Sequence, residues 1–154
     1  MNIAINGFGR IGRSVFRILN SRKDVNLVAI NDIFDKEALT YLLKYDTVMG
    51  RFPEQVSLDG DVLKTESQSV KLIAERDPAS LPWGELGVDI VIESTGIFRQ
   101  KSQLENHLHA GAKRVVLTVP AKDEIDYTVV LGVNDDGLKS EHKIVSNASC
   151  TTNC

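Results

Sequence analysis

The sequence predicts an α/β fold: a doubly wound, mostly parallel sheet with helices on both faces. Three observations carry this. Short apolar runs that read as strands alternate with helical patterns along the 154 residues. A G-x-G-x-x-G turn, Gly7-Phe8-Gly9-Arg10-Ile11-Gly12, stands between the first strand and the first helix. A second strand, Val25 to Ile30, runs into Asn31-Asp32, twenty residues beyond Gly12, where a carboxylate that accepts ribose hydroxyls is expected.

Each element has its own justification. Ile3 and Ile5 alternate with Asn2 and Ala4, the period of a strand. Gly7 permits the sharp turn, Gly9 lets a pyrophosphate approach the backbone, and Gly12 lets the helix lie close to the strand, the arrangement of a Rossmann-type dinucleotide site. The helix offers unpaired N–H groups and the positive end of its dipole to that pyrophosphate. Its apolar positions Ile11, Val15, Ile18 and Leu19 recur at spacings of three and four, which predicts a single buried face. Residues 35–45 read as a helix carrying Leu39, Leu42, Leu43 and Tyr45, with Asp35 as N-cap. Residues 56–74 read as short antiparallel strands around an Asp59-Gly60 turn, covering the edge of the sheet.

Pro82 to Leu86 suggests one helical turn, with the single tryptophan, Trp83, as packing. Val88 to Glu93 is a near-continuous apolar run, as a central parallel strand requires. It ends in Ser94-Thr95-Gly96, a candidate cofactor wall, since ligands of open α/β sheets lie beyond the carboxyl ends of strands. A helix follows over 102–110, with Ser102 as N-cap and Gly111 at its end; His107 and His109 on it are two apart and read as surface or partly packed side chains, not as a metal pair. Further strands are expected at Arg114–Val119, Tyr127–Val133 and Ile144–Val145.

Composition narrows the function classes. Hydrophobic residues are 42% and charged residues 25%, ordinary for a globular chain with a real core. The net charge of −3 and the lack of a basic run give nucleic-acid binding no support. No apolar stretch approaches the ~20 residues of a membrane helix, and the N-terminus has no signal-peptide pattern. The two cysteines, Cys150 and Cys154, do not form a disulfide framework and suit a reducing cytoplasm. Ser149 is placed to cap a helix starting at Cys150. There the helix dipole and free N–H groups favour the thiolate, the reactive form, while Ser149 and Thr151 supply hydroxyls that with the backbone suit an oxyanion or phosphate. The alternative for Cys150 is a small buried residue.

The stretches INGFGRIGR, AINDIFD, LLKYDTVMGRF, ERDPASLPW, ESTGIF and, most specifically, SNASCTTNC resemble the N-terminal part of the phosphorylating glyceraldehyde-3-phosphate dehydrogenases, and the resemblance runs through all 154 residues. It implies an NAD-binding domain over residues 1–148, with 149–154 as the start of the helix that leads into a catalytic domain lying beyond this sequence. It implies that Cys150 is the nucleophile toward a small phosphorylated aldehyde and that inorganic phosphate cleaves the resulting thioester. It places the backbone of Arg10 and Ile11 at the pyrophosphate, Asp32 at the ribose, Arg76 and Phe98 near the adenine, Thr95 and Gly96 in the cofactor wall, and Thr118 near the nicotinamide end. Ser149 and Thr151 fall at the edge of the phosphate site. Met49-Gly50 stands where the family usually has His-Gly, and Thr118-Val119-Pro120 where Ser-Ala-Pro is frequent.

The family's general-base histidine lies beyond residue 154, and none of His107, His109 or His142 matches it. The expectation is therefore a chain that binds NAD without significant turnover by itself, from a parent that is a cytoplasmic homotetramer. Asp32 would repel the 2′-phosphate of NADP, no arginine follows closely to accept one, and Phe34 adds bulk, so NAD is expected over NADP. Two other readings fit the same residues: the N-terminal domain of an erythrose-4-phosphate dehydrogenase, and a non-catalytic NAD-binding module.

Overall fold

A computed structural model describes residues 1–154. Nine strands form one sheet in the order β3-β4-β5-β2-β1-β6-β7-β9-β8. These are β1 (Asn2–Asn6), β2 (Asn26–Asn31), β3 (Ser57–Asp59), β4 (Val62–Lys64), β5 (Ser69–Ile73), β6 (Ile90–Glu93), β7 (Arg114–Leu117), β8 (Tyr127–Thr128) and β9 (Ile144–Ser146). Six of the eight strand pairings are parallel, and the two antiparallel ones join β3 to β4 and β4 to β5. The strand order reverses between β2 and β6, on either side of β1, which makes the carboxyl end of β1 the switch point of a doubly wound sheet.

Helices lie on both faces. On one face α1 (Arg10–Asn20) and α2 (Lys36–Lys44) close a core of Ile3, Ile5, Phe8, Phe16, Leu27, Ile30, Leu39 and Leu43. Phe16 stands edge-on to Phe8 with ring centres 5.6 Å apart. On the other face α3 (Lys101–His109) covers Val115, Leu117 and Ile144 through Leu104. Ala4 and Ala29, opposite each other in register, lie in a cluster with the fully buried Trp83, their small side chains leaving room for the indole. A short α4 (Cys150–Asn153) ends the chain. The outer half of the first face, Ile92, Val116, Thr118 and Val145, borders a groove of about 390 Å³ instead of a helix.

Five local expectations are revised. Ile11 and Ile18 are 48% and 61% exposed; the buried residues of α1 are Gly12, Phe16 and Asn20, with Val15 and Leu19 beside them. Gly12 must face the Gly7 carbonyl, and this contact sets the rotation of the helix, so the four-residue row through Gly12 points inward. The buried Asn20 amide donates to Glu54 and accepts from Thr65. Residues 57–73 do not cover the sheet edge but extend it, because β5 pairs in parallel with β2. Ser102 is inside α3 rather than its cap; the cap is Gln100, two residues earlier, and the Gln103 side-chain amide oxygen accepts from the N–H groups of Arg99 and Gln100. The strand at 127–133 stops after Thr128, since the Asn134 side chain accepts from Val130 N–H and donates to the Thr128 carbonyl in place of a ladder. Residues 83–87 form a turn, not a helix, and a short 3₁₀ turn lies at Pro78–Ser80.

Candidate functional site

At the carboxyl ends of β1, β2 and β6 lies a crevice of about 380 Å³. The glycine turn forms one wall, Ser94, Thr95, Ile97 and Phe98 a second, and Asp32, Glu75 and Arg76 the opposite lip. Of the residues expected at a cofactor site, Gly7, Gly9, Asp32, Arg76, Thr95 and Phe98 line it directly.

The turn is held tightly. Gly7 has φ +90°, and a Cβ there would stand 2.6 Å from the Thr95 nitrogen. Its N–H donates to the Asn31 carbonyl at 2.8 Å, and its own carbonyl accepts from the Ser94 hydroxyl at 2.6 Å. A Cβ on Gly12 would collide with that same Gly7 carbonyl. A Cβ on Gly9, by contrast, would meet no atom within 4 Å, so the open side of the turn is the side that faces the crevice. Gly9 caps α1 without a side chain, and the first backbone bond it accepts comes from Arg13. The N–H groups of Arg10, Ile11 and Gly12 precede that bond, the unpaired donors of a helix start. The Arg10 guanidinium itself turns outward, 3.3 Å from Asp46. Backbone N–H bonds from Met49 and Val48 hold the Asp46 carboxyl down to about 2, with Arg10 adding to the effect.

Asp32 is half-buried. One carboxylate oxygen accepts from the Phe8 N–H at 2.7 Å and the other from the Phe34 N–H at 2.9 Å, which fixes the group beside the glycine turn at the crevice. Gly96, at φ +73°, follows Thr95 on an exposed bend. This geometry fits a dinucleotide: a cradle without side chains, helix-start donors for a pyrophosphate and a fixed acid for a sugar diol.

Other expected residues lie elsewhere. Thr118 does not line the crevice; it borders the groove beside Ile92 and Val116, its hydroxyl donating to the Glu93 carbonyl at 3.1 Å. Ser149, Cys150 and Thr151 lie outside the crevice lining on the single turn of α4. The Ser149 hydroxyl accepts from the Thr152 N–H at 2.9 Å, and the Asn153 amide ties back to the Asn147 and Ser149 carbonyls. Just before the cap, Ala148 is buried in the left-handed region at φ +57°, a conformation costly for a residue with a Cβ. Both cysteines are exposed free thiols. His107 is fully buried rather than superficial, and His142 stacks on Tyr127.

The sequence reading did not name as site residues Ile33, Glu75 or Ile97, which line the crevice, nor a polar row formed by Asn6 and Asn31 in its lining and Glu93 next to them. The three residues of the row are buried, and they sit side by side as the last residues of β1, β2 and β6, with Asn6 in register with both Asn31 and Glu93. The signal was present in the sequence as polar residues closing otherwise apolar parallel strands.

The fold and crevice define a nucleotide-binding domain of the doubly wound class. Residues 1–101 match the family described as glyceraldehyde 3-phosphate dehydrogenase, NAD binding domain, and the chain belongs to that family. It is 56% identical to the glyceraldehyde-3-phosphate dehydrogenase of Thermotoga maritima, over 98% of this chain and 46% of that protein. It is 53% identical to glyceraldehyde-3-phosphate dehydrogenase 1 of Streptomyces avermitilis, over 100% of this chain and 46% of that protein, and 53% identical to the enzyme of Borreliella burgdorferi, over 100% and 47%. The chain thus spans about half the length of the curated relatives it matches. The cofactor of this domain is NAD. No helix is long and apolar enough to cross a membrane.

Proposed function

We propose that this chain is the cofactor half of a phosphorylating glyceraldehyde-3-phosphate dehydrogenase, with residues 1–148 forming the NAD domain. In this reading the pyrophosphate lies on the backbone of Gly9, Arg10 and Ile11, beside Gly7 and Gly12. Asp32 accepts the ribose hydroxyls, Arg76 and Phe98 flank the adenine, and Thr95-Gly96 forms the inner wall, with Thr118 nearer the nicotinamide end. The observation that carries it is the convergence of the glycine turn, the start of α1 and the twice-anchored Asp32 carboxylate on one crevice.

Cys150 supplies the chemistry. Its thiolate adds to the aldehyde carbon of a small phosphorylated aldehyde, and Ser149, Thr151 and the first N–H groups of α4 face the oxyanion or phosphate. NAD, when bound, supplies the two-electron acceptor that turns a thiohemiacetal into a thioester. Inorganic phosphate attacks the thioester carbon, releasing an acyl phosphate and returning the Cys150 thiolate. The proton transfers need a base near Cys150. His107 is committed to a buried hydrogen-bond pair, His142 stacks on Tyr127 and His109 ends α3, so in this reading the 154-residue chain alone is expected to turn over negligibly.

Titration calorimetry with NAD and NADP tests the cofactor reading. The expected result is NAD binding with NADP at least about tenfold weaker, because a 2′-phosphate would face the Asp32 carboxylate. Equal affinities, or no binding of either, would overturn it.

A further inference from the structure

A continuous chain of buried polar groups runs beneath the crevice, from one lip to the far side of the sheet. The Asn31 amide brackets the Glu75 backbone, accepting from its N–H at 2.8 Å and donating to its carbonyl at 2.9 Å. Asn31 also donates to the Asn6 amide oxygen at 2.7 Å, and Asn6 donates to Glu93 at 2.6 Å. The second Glu93 oxygen accepts from the Thr95 N–H at 2.9 Å and from the Thr95 hydroxyl. His107 Nε2 lies 3.0 Å from Glu93, and His107 Nδ1 accepts from the indole of Trp83 at 3.0 Å.

The chemistry of the end group orders the whole chain. An indole N–H only donates, so Nδ1 of His107 is the acceptor and the ring proton is on Nε2, aimed at Glu93. Glu93 then faces four donors and is fully buried. Neither Trp83 nor His107 lines the crevice, yet both determine which hydrogen bonds Glu93 has left for Thr95 and Asn6.

We propose that Glu93 is a positioning residue for the cofactor, fixing the Thr95 wall against the glycine turn, and that the Trp83–His107 pair keeps it oriented. The proposal rests on the reading that NAD occupies this crevice. Occupancy that presses on Thr95 is transmitted through Glu93 and His107 to the indole. Glu93→Gln keeps the shape but replaces one acceptor oxygen with a donor, which then faces either both the Asn6 amide and His107 N–H, or the Thr95 N–H.

The sequence has one tryptophan, so the chain gives a single indole N–H resonance. Titrating the unaltered ¹⁵N-labelled chain with NAD should move that resonance, with His107 protonated at Nε2 throughout. Glu93→Gln, shown to be folded by circular dichroism, should bind NAD about tenfold more weakly and leave the indole resonance still at saturation. NAD binding by the unaltered chain with an unmoved indole resonance would overturn the proposal, as would a folded Glu93→Gln that binds NAD as tightly as the parent. If that variant does not fold, the titration of the unaltered chain decides alone. No NAD binding by the unaltered chain would instead remove the premise, and the proposed function with it.

Discussion

Alanine at Gly7 and alanine at Gly9 should have opposite consequences, although both positions belong to one turn. At Gly7 a Cβ would stand 2.6 Å from the Thr95 nitrogen and 2.8 Å from the Ser94 carbonyl carbon, both backbone atoms. The β6 end must retreat by about 0.8 Å to reach the 3.4 Å of ordinary contact, and it is anchored there by the Ser94 and Thr95 hydrogen bonds. Overpacking of this kind costs about 1–3 kcal/mol, and φ +90° adds about 1–2 kcal/mol for a residue with a Cβ. Gly7→Ala should therefore lose about 2–5 kcal/mol, which lowers Tm by about 10 °C in a chain of this size. Gly9 has φ −70°, and its Cβ would meet nothing within 4 Å. Gly9→Ala should stay within about 1 kcal/mol of the parent in stability, the difference between glycine and alanine as an N-cap. Its methyl group nevertheless enters the crevice, so NAD binding should weaken by at least about tenfold. Urea unfolding and calorimetry on both variants check this. A Gly7→Ala chain as stable as the parent, or a Gly9→Ala chain that binds NAD unchanged, would refute the reasoning.

Other outcomes follow from the same geometry. Asp32→Asn should weaken NAD by about 10- to 100-fold, the scale of hydrogen bonds to a charged acceptor, and should narrow the preference over NADP; calorimetry with both cofactors measures it. The Asp46 carboxyl is lowered from 3.8 to about 2 by the Met49 and Val48 N–H groups. A depressed carboxyl contributes stability above its unfolded value and loses it as pH falls through the folded one. Thermal melts between pH 4 and 2 should thus fall less steeply for Asp46→Asn than for the parent. Cys150, at the start of α4, should alkylate several-fold faster than Cys154 at its end, as read by mass spectrometry of partly labelled chain. Equal, slow labelling of both would favour the non-catalytic module.

Much of the site was legible because its determinants are neighbours in the chain. Gly7, Gly9 and Gly12 act within one turn, and Asp32 is placed by the length of a single β-α-β unit, so spacing alone predicts their meeting. SNASCTTNC is likewise local, and the cap from Ser149 to Thr152 formed where Ser149 was expected. Legibility failed where a side chain's surroundings depend on packing. Helical periodicity chose Ile11 and Ile18 for the core of α1, whereas the close approach of Gly12 to Gly7 turned them to the surface.

By itself the sequence determined the alternation of strands and helices, the dinucleotide turn with its acid and the family. All of these are written in short-range pattern. Only the tertiary structure decided that the 57–73 strands join the main sheet and that Asn6, Asn31, Glu93, His107 and Trp83 form one buried chain. Asn6 and Glu93 are 87 residues apart in sequence, and their meeting depends on the register of two parallel strands linked by long crossovers. A buried polar group must find a partner, but which partner it finds is a property of that register and not of the residues around it in the chain.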